Sequence, residues 1–113
     1  MASLQRAERE RFITTHPRSM ALARAAQAHY LFGVPLHWMR DWPSPATLFV
    51  QHAQGTTLTC ADDLAHADFC LGDTGAMFGH SPAPLAQAIA QQAADGLTCM
   101  LPSTRAAAVG EAL

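Results

Sequence analysis

The chain has 113 residues, half of them apolar, with seven basic against nine acidic side chains and a formal net charge of −2. That length fits one domain with enough apolar material for a core, and the lack of a basic excess excludes nucleic acid as the expected partner. All seven basic residues are arginine, and there is no lysine.

Three cysteines, Cys60, Cys70 and Cys99, form neither a CxxC pair nor an even disulfide set, so reduced thiols and a cytoplasmic setting are expected. The charged opening from Arg6 to Arg11 has no apolar leader region, and no apolar run approaches the roughly 18 residues of a membrane span, so no membrane partner is expected. Residues 3–12 are helix formers with a thin apolar stripe of Leu4, Ala7 and Phe12. They predict an exposed helix ending by Pro17, which restricts His16. Its charges form a solvated face. Met20, Leu22, Ala23, Ala26, Ala28, Tyr30 and Leu31 predict a second, alanine-rich helix stopped by Gly33 and Pro35. Alanine gains little on burial, so this helix calls for a large neighbour.

Residues 34–45 combine tryptophans and prolines in an irregular, ordered loop. Two readings of it stand. Trp38 and Trp42 plug the edge of a core, or the loop borders a substrate pocket, with tryptophan as a flat wall and Arg40 as a fork suited to a carboxylate. Residues 46–52 and 56–60 then read as a β-hairpin around Ala53-Gln54-Gly55.

Between Phe69 and Pro82 the glycines Gly72, Gly75 and Gly79 fall within eight positions. Glycine weakens any regular element, so the stretch bends sharply or lets something approach closely; tight turns do this without any ligand. Ser81 is placed to cap a following helix, and Pro82 and Pro84 suit its first turn. Leu85, Ala88, Ile89 and Ala93 recur near the helical period, and Gly96 ends the helix. Ser103 is placed to cap a last helix of about ten residues, a length marginal in isolation, so the sequence reads as interrupted within an element.

Cys60, His66 and Cys70, with His52 or His80 as a fourth ligand, match none of the usual closed zinc spacings, and no metal site is expected from them. Cys70 as a nucleophile with His80 as its base lacks an electropositive setting, and buried, inert cysteine is the expectation.

The order of strand, Gln54-Gly55 turn, strand, Asp62-Asp63, His66-Ala67-Asp68-Phe69, glycine bend with Gly79-His80, and alanine-rich helix resembles the N-terminal region of class III, fold-type I pyridoxal-phosphate enzymes, the aminotransferases and glutamate-1-semialdehyde aminomutases. The resemblance runs from Arg11 to Leu113. It implies an α+β arrangement: a helical arm at 1–33, the loop at 34–45, and at 46–113 part of a small domain with the start of a large one. It implies amino-group transfer in the whole enzyme, a second subunit in a homodimer, and the remainder of the enzyme as partner.

By the same resemblance Gly72, Gly75 and Gly79 form a pocket wall, with Asp73 where several members carry an aromatic and Thr74 next to it, so a more polar or hydroxylated substrate is implied. His37 and Arg40 lie near the position at which some β-amino-acid aminotransferases hold a substrate carboxylate. Asp62-Asp63-Leu64 departs from the family's D-x-D-G turn by lacking its glycine. No catalytic residue is expected here, because pyridoxal phosphate needs a lysine amine for its Schiff base and this chain cannot hold the cofactor covalently. The alternative is a non-catalytic dimerisation or interaction module derived from that family.

Overall fold

His16 and Pro17 break the opening helical stretch in two. In the computed structural model, which describes residues 2–113, helix α1 spans Ala2–Thr15 and helix α2 spans Pro17–Ala26. A missing N–H costs nothing at a first helical position, and His16 before it takes a non-helical φ of −124° and ψ of 50°. Helix α2 stops short of its predicted end at Leu31; turns fill 27–30 and a 3-10 turn follows at Leu31–Gly33. Gly33 accounts for the early stop. It is buried at φ +72°, and a Cβ there would lie 3.0 Å from Gln27 Cγ, so the chain folds back tightly on the end of α2.

The predicted hairpin is present and gains a third strand. Strands β1 (Val50–Gln54), β2 (Thr57–Cys60) and β3 (Ala65–Ala67) form an antiparallel sheet in the order β1-β2-β3. Gln54 faces Thr57 across a Gly55-Thr56 connection, with Gly55 at φ +55°, and Thr57 faces Ala67 on the other side. β1 begins later than residue 46 because the preceding residues are tied into the loop. The Thr47 hydroxyl donates to the Met39 carbonyl, and that of Ser44 to Ala46.

The turn after β2 caps helix α2 from more than forty residues away. Asp62 accepts the backbone N–H groups of Arg18 at 2.6 Å and Ser19 at 3.0 Å, and the Ser19 hydroxyl at 2.6 Å. Arg18 in turn donates to Asp63 at 2.7 Å and to the Ala61 carbonyl at 3.0 Å. Two orphan N–H groups at the start of α2 are thus satisfied by a carboxylate that also suits the helix dipole. The turn manages without a glycine because Asp63 itself adopts φ +61°, which short polar side chains tolerate.

Partial burial pushes the Asp62 carboxyl up, but the hydrogen bonds from the Ser19 hydroxyl and from the Arg18 and Ser19 backbone N–H groups outweigh it and hold it below its ordinary value of 3.8. Its stabilising effect is therefore present above pH 3.8 and is lost as pH falls through the lowered folded value. Asp62→Ala is expected to speed amide exchange at Arg18 and Ser19 roughly tenfold or more, the size of a lost helix cap, as hydrogen-exchange mass spectrometry would read.

The chain divides into two compact units, the first ending at His80 and the second spanning Ser81–Leu113. Within the first, the buried side chains are His16, Ser19, Val34 and Cys60. The second holds helices α3 (Ala83–Asp95) and α4 (Ala106–Ala112), neither with a buried residue. Gly96 ends α3 at φ +100°, as predicted. The two serine caps do not form. Ser81 sits at φ +51°, outside the extended region a cap requires, and Ser103 offers only its carbonyl to the Ala106 N–H at 3.1 Å. Four helices with one antiparallel sheet give the expected α+β class, and no described helix is long and apolar enough to cross a membrane.

Candidate functional site

The glycine-rich stretch leaves β3 and returns to the sheet as a closed loop over residues 69–79. Asp68 builds its base. One carboxylate oxygen accepts the N–H groups of Cys70 at 2.9 Å and Leu71 at 3.0 Å, and the other lies 2.7 Å from Nε2 of His80. Chiefly the His80 hydrogen bond, then those from Leu71 and Cys70, hold the Asp68 carboxyl below its ordinary value of 3.8. The His80 backbone closes the far side by exchanging hydrogen bonds with Gly55, N–H to carbonyl, at 2.7 and 2.9 Å.

Inside these anchors the loop is a series of tight turns. Asp73 N–H donates to Cys70, Gly75 to Gly72, Ala76 to Leu71 and Gly79 to Ala76, all at 2.8–3.0 Å. Leu71, Gly72 and Asp73 are consecutively left-handed at φ +50°, +60° and +56°. A leucine in that region is strained, and strain of this kind persists only where the surroundings impose it. Phe69 and Phe78, at the two ends of the loop, are 97% and 93% exposed.

Gly79 is the glycine the loop cannot replace. At φ +86°, a Cβ on it would lie 3.2 Å from both the Cα and the carbonyl oxygen of Gly55, backbone atoms that cannot move aside. Gly72 has a similar φ with open space around its Cβ position. Gly79→Ala is therefore expected to destabilise the protein by about 1–3 kcal/mol, and Gly72→Ala by about 1 kcal/mol, in paired urea titrations.

The sequence-derived site residues fall into two groups. Asp73 and Thr74 sit exposed on the 69–79 loop with Gly72 and Gly75. Asp73 lies 3.8 Å from the Cys70 sulfur, and Cys70 is exposed, not buried as expected. His80 is engaged with Asp68, so it is not paired with Cys70 as a base. His37 and Arg40 sit together on a 3-10 turn spanning His37–Asp41. Arg40 lies 4.0 Å over the Phe32 ring and 3.2 Å from Asp41, and with Trp42 it borders a concavity of about 190 Å³. Trp38 and Trp42 are half-exposed and plug no core within this chain. No hydrogen bond or ion pair joins the two groups among the described residues.

A second cluster escaped the sequence reading. Cys60 and His66 do come together, but with His16 and not Cys70, and their ligand atoms all lie within 4.8 Å of one another. His16 comes from the junction of α1 and α2, over forty positions earlier in the chain. No local spacing announces it.

No protein-family model matches the chain, and a search of curated proteins returns no match. Solved structures do match. A glutamate-1-semialdehyde aminomutase from Pseudomonas aeruginosa PAO1 superposes with a TM-score of 0.90 at 45% identity, over 97% of this chain and 24% of that one. A lysine-to-alanine variant from the same organism, in complex with PMP, gives the same values. A β-phenylalanine aminotransferase from Variovorax paradoxus matches in fold, with a TM-score of 0.78 at 20% identity over 90% of this chain and 23% of that one. The chain thus spans about a quarter of the length of these solved structures. In fold and in sequence it is similar, over nearly its whole length, to a segment of the glutamate-1-semialdehyde aminomutase and pyridoxal-phosphate aminotransferase family.

Proposed function

We propose that this chain is the N-terminal part of a class III pyridoxal-phosphate enzyme, an aminotransferase or aminomutase acting on an amino acid or amino-aldehyde. In this reading the 69–79 loop, with Gly72, Gly75 and Gly79, is one wall of the substrate pocket, and Asp73 and Thr74 give that wall a polar face. His37 and Arg40 meet the substrate's carboxylate. The observation that carries the reading is the loop itself: strained at Leu71, locked at its base by Asp68 and His80, and flanked by two phenylalanines that none of the described residues covers.

The residues present do not fit the cofactor as a covalent group. No lysine amine exists in the chain, so it performs no amino transfer alone. The remainder of the enzyme and a second subunit of a cytoplasmic homodimer would supply the Schiff-base lysine, the phosphate-binding loop and the cover for the exposed phenylalanines. The 1–33 arm, the 34–45 loop and the 46–113 small-domain and large-domain parts keep the roles that the resemblance gives them.

Reading the coding sequence downstream of Leu113 tests this. A phosphate-binding loop and a lysine are expected within roughly one to two domain lengths. If neither follows, the enzyme reading fails, and a stable oligomer of the chain alone would mark it as an interaction module.

A further inference from the structure

Three chemically soft or borderline donors converge inside the first unit. His16 is 6% exposed and Cys60 1% exposed; His66 is half-buried. The Nε2 atoms of both histidines are buried without a hydrogen-bond partner. A buried polar atom left bare is costly, on the order of 1–3 kcal/mol, and native structures rarely tolerate two at one point.

The protonation pattern at His16 is set by its neighbours. Its Nδ1 lies 2.9 Å from the Phe12 carbonyl, which can only accept, so Nδ1 carries the proton. Thr15 Oγ1, 2.9 Å from the same nitrogen, is itself within donating distance of the Arg11 carbonyl, so it too accepts from Nδ1. Nε2 is left as a bare, buried lone pair, on a ring that brings a donor nitrogen within 4.8 Å of the ligand atoms of Cys60 and His66. Stacking on Phe12 at 4.2 Å and on His66 at 5.7 Å fixes the ring's plane. Metal-binding imidazoles usually donate one nitrogen to a backbone carbonyl or carboxylate in this way, which fixes the tautomer and turns the other nitrogen to the ion.

We propose that His16, Cys60 and His66 bind a divalent cation of zinc's class. Two imidazoles and a thiolate are a ligand set such an ion prefers, and a tetrahedral shell places its donor atoms roughly 3.3–3.8 Å apart, which the present separation of at most 4.8 Å reaches with small side-chain movements. Binding displaces the Cys60 thiol proton to solvent, and the sulfur bonds the ion as thiolate. The three protein ligands leave one coordination position. A groove of about 1150 Å³, bordered by Arg11, Phe12, Thr15, His16, Leu64 and His66, provides an entry path. The site does not depend on the amino-transfer reading.

The test is a titration of the 113-residue chain with Co2+ and then Zn2+ in a Cys70→Ser, Cys99→Ser background, which removes the two exposed thiols. One equivalent of Co2+ is expected, with tetrahedral d–d bands and a thiolate charge-transfer band, displaced by one equivalent of Zn2+. Cys60→Ser should abolish the charge-transfer band, and Cys60→Ser or His66→Gln should weaken binding by at least about 100-fold, whereas His52→Ala leaves it unchanged. X-ray absorption on the zinc-loaded chain needs no ligand variant and should give one sulfur and two imidazole nitrogens. Binding below one equivalent, an all-oxygen shell, or affinity kept within threefold in Cys60→Ser and His66→Gln would overturn the proposal.

Discussion

In the chain expressed by itself, the amides of α3 and α4 are expected to exchange at close to the rate of an unstructured peptide, while those of β2 and the start of α2 stay protected. Neither α3, of 13 residues, nor α4, of 7, buries a single side chain. Helices shorter than about 12–15 residues are marginal in water unless an apolar face is covered, because ordering each residue costs about 1–2 kcal/mol. Leu85, Ile89, Leu97, Met100, Leu101 and Val109 all remain exposed. The first unit has the Asp62 cap, the sheet and the cluster around Cys60 to hold it. The same surface should bind a hydrophobic dye strongly, as uncovered apolar patches do. Hydrogen-exchange mass spectrometry checks the contrast: protection across residues 83–112 equal to that of β2 would show that the second unit holds itself together.

Asp68→Ala should have the largest effect of any single change in the candidate site. Three hydrogen bonds converge on this carboxylate, and they tie both ends of the 69–79 loop together. With the loop free, Asp73 and Thr74 lose their fixed position; if they line the pocket as proposed, misplacement of about 1 Å at a reacting centre costs up to about 100-fold in rate. In an enzyme assembled around this chain, a fall in kcat on the order of 10–100-fold is expected. Asp68→Asn should be milder, since its amide oxygen still accepts from the backbone. The pH dependence has a definite sign: Asp68 titrates below 3.8 in the fold, so the loop is held above pH 3.8 and released as pH falls through the lowered value. A loop whose proton resonances stay unchanged while the Asp68 carboxyl itself titrates would contradict this role.

What the sequence discloses is what local chemistry controls. Leu85, Ala88, Ile89 and Ala93 mark α3 by period and Gly96 by its backbone freedom, and the hairpin follows from β-branched residues around Gly55. The glycine bend is legible as a bend, and its resemblance to a pocket wall rests on the order of elements around it. Tertiary contacts decide the rest. The Asp62 cap joins residues 43 positions apart, and the cluster of His16, Cys60 and His66 is made by α1, α2, β2 and β3 meeting. Ser81 and Ser103 have the composition of caps, but Ser81 sits at φ +51° and α4 begins after Arg105, two residues beyond Ser103; both depend on how the chain enters each helix. Gly33 reads as a helix stop, yet its reason, a φ of +72° with the Gln27 side chain 3.0 Å from where a Cβ would sit, appears only in three dimensions.

The most direct measurement is activity in a chimera, with this chain replacing the matching quarter of the Pseudomonas aeruginosa aminomutase, which is 45% identical to it over that region. The chimera is expected to fold, to bind its cofactor through the host's lysine, and to turn over an amino-group acceptor at a rate that Asp68→Ala lowers. A chimera that folds and binds the cofactor but catalyses no amino transfer would contradict the account.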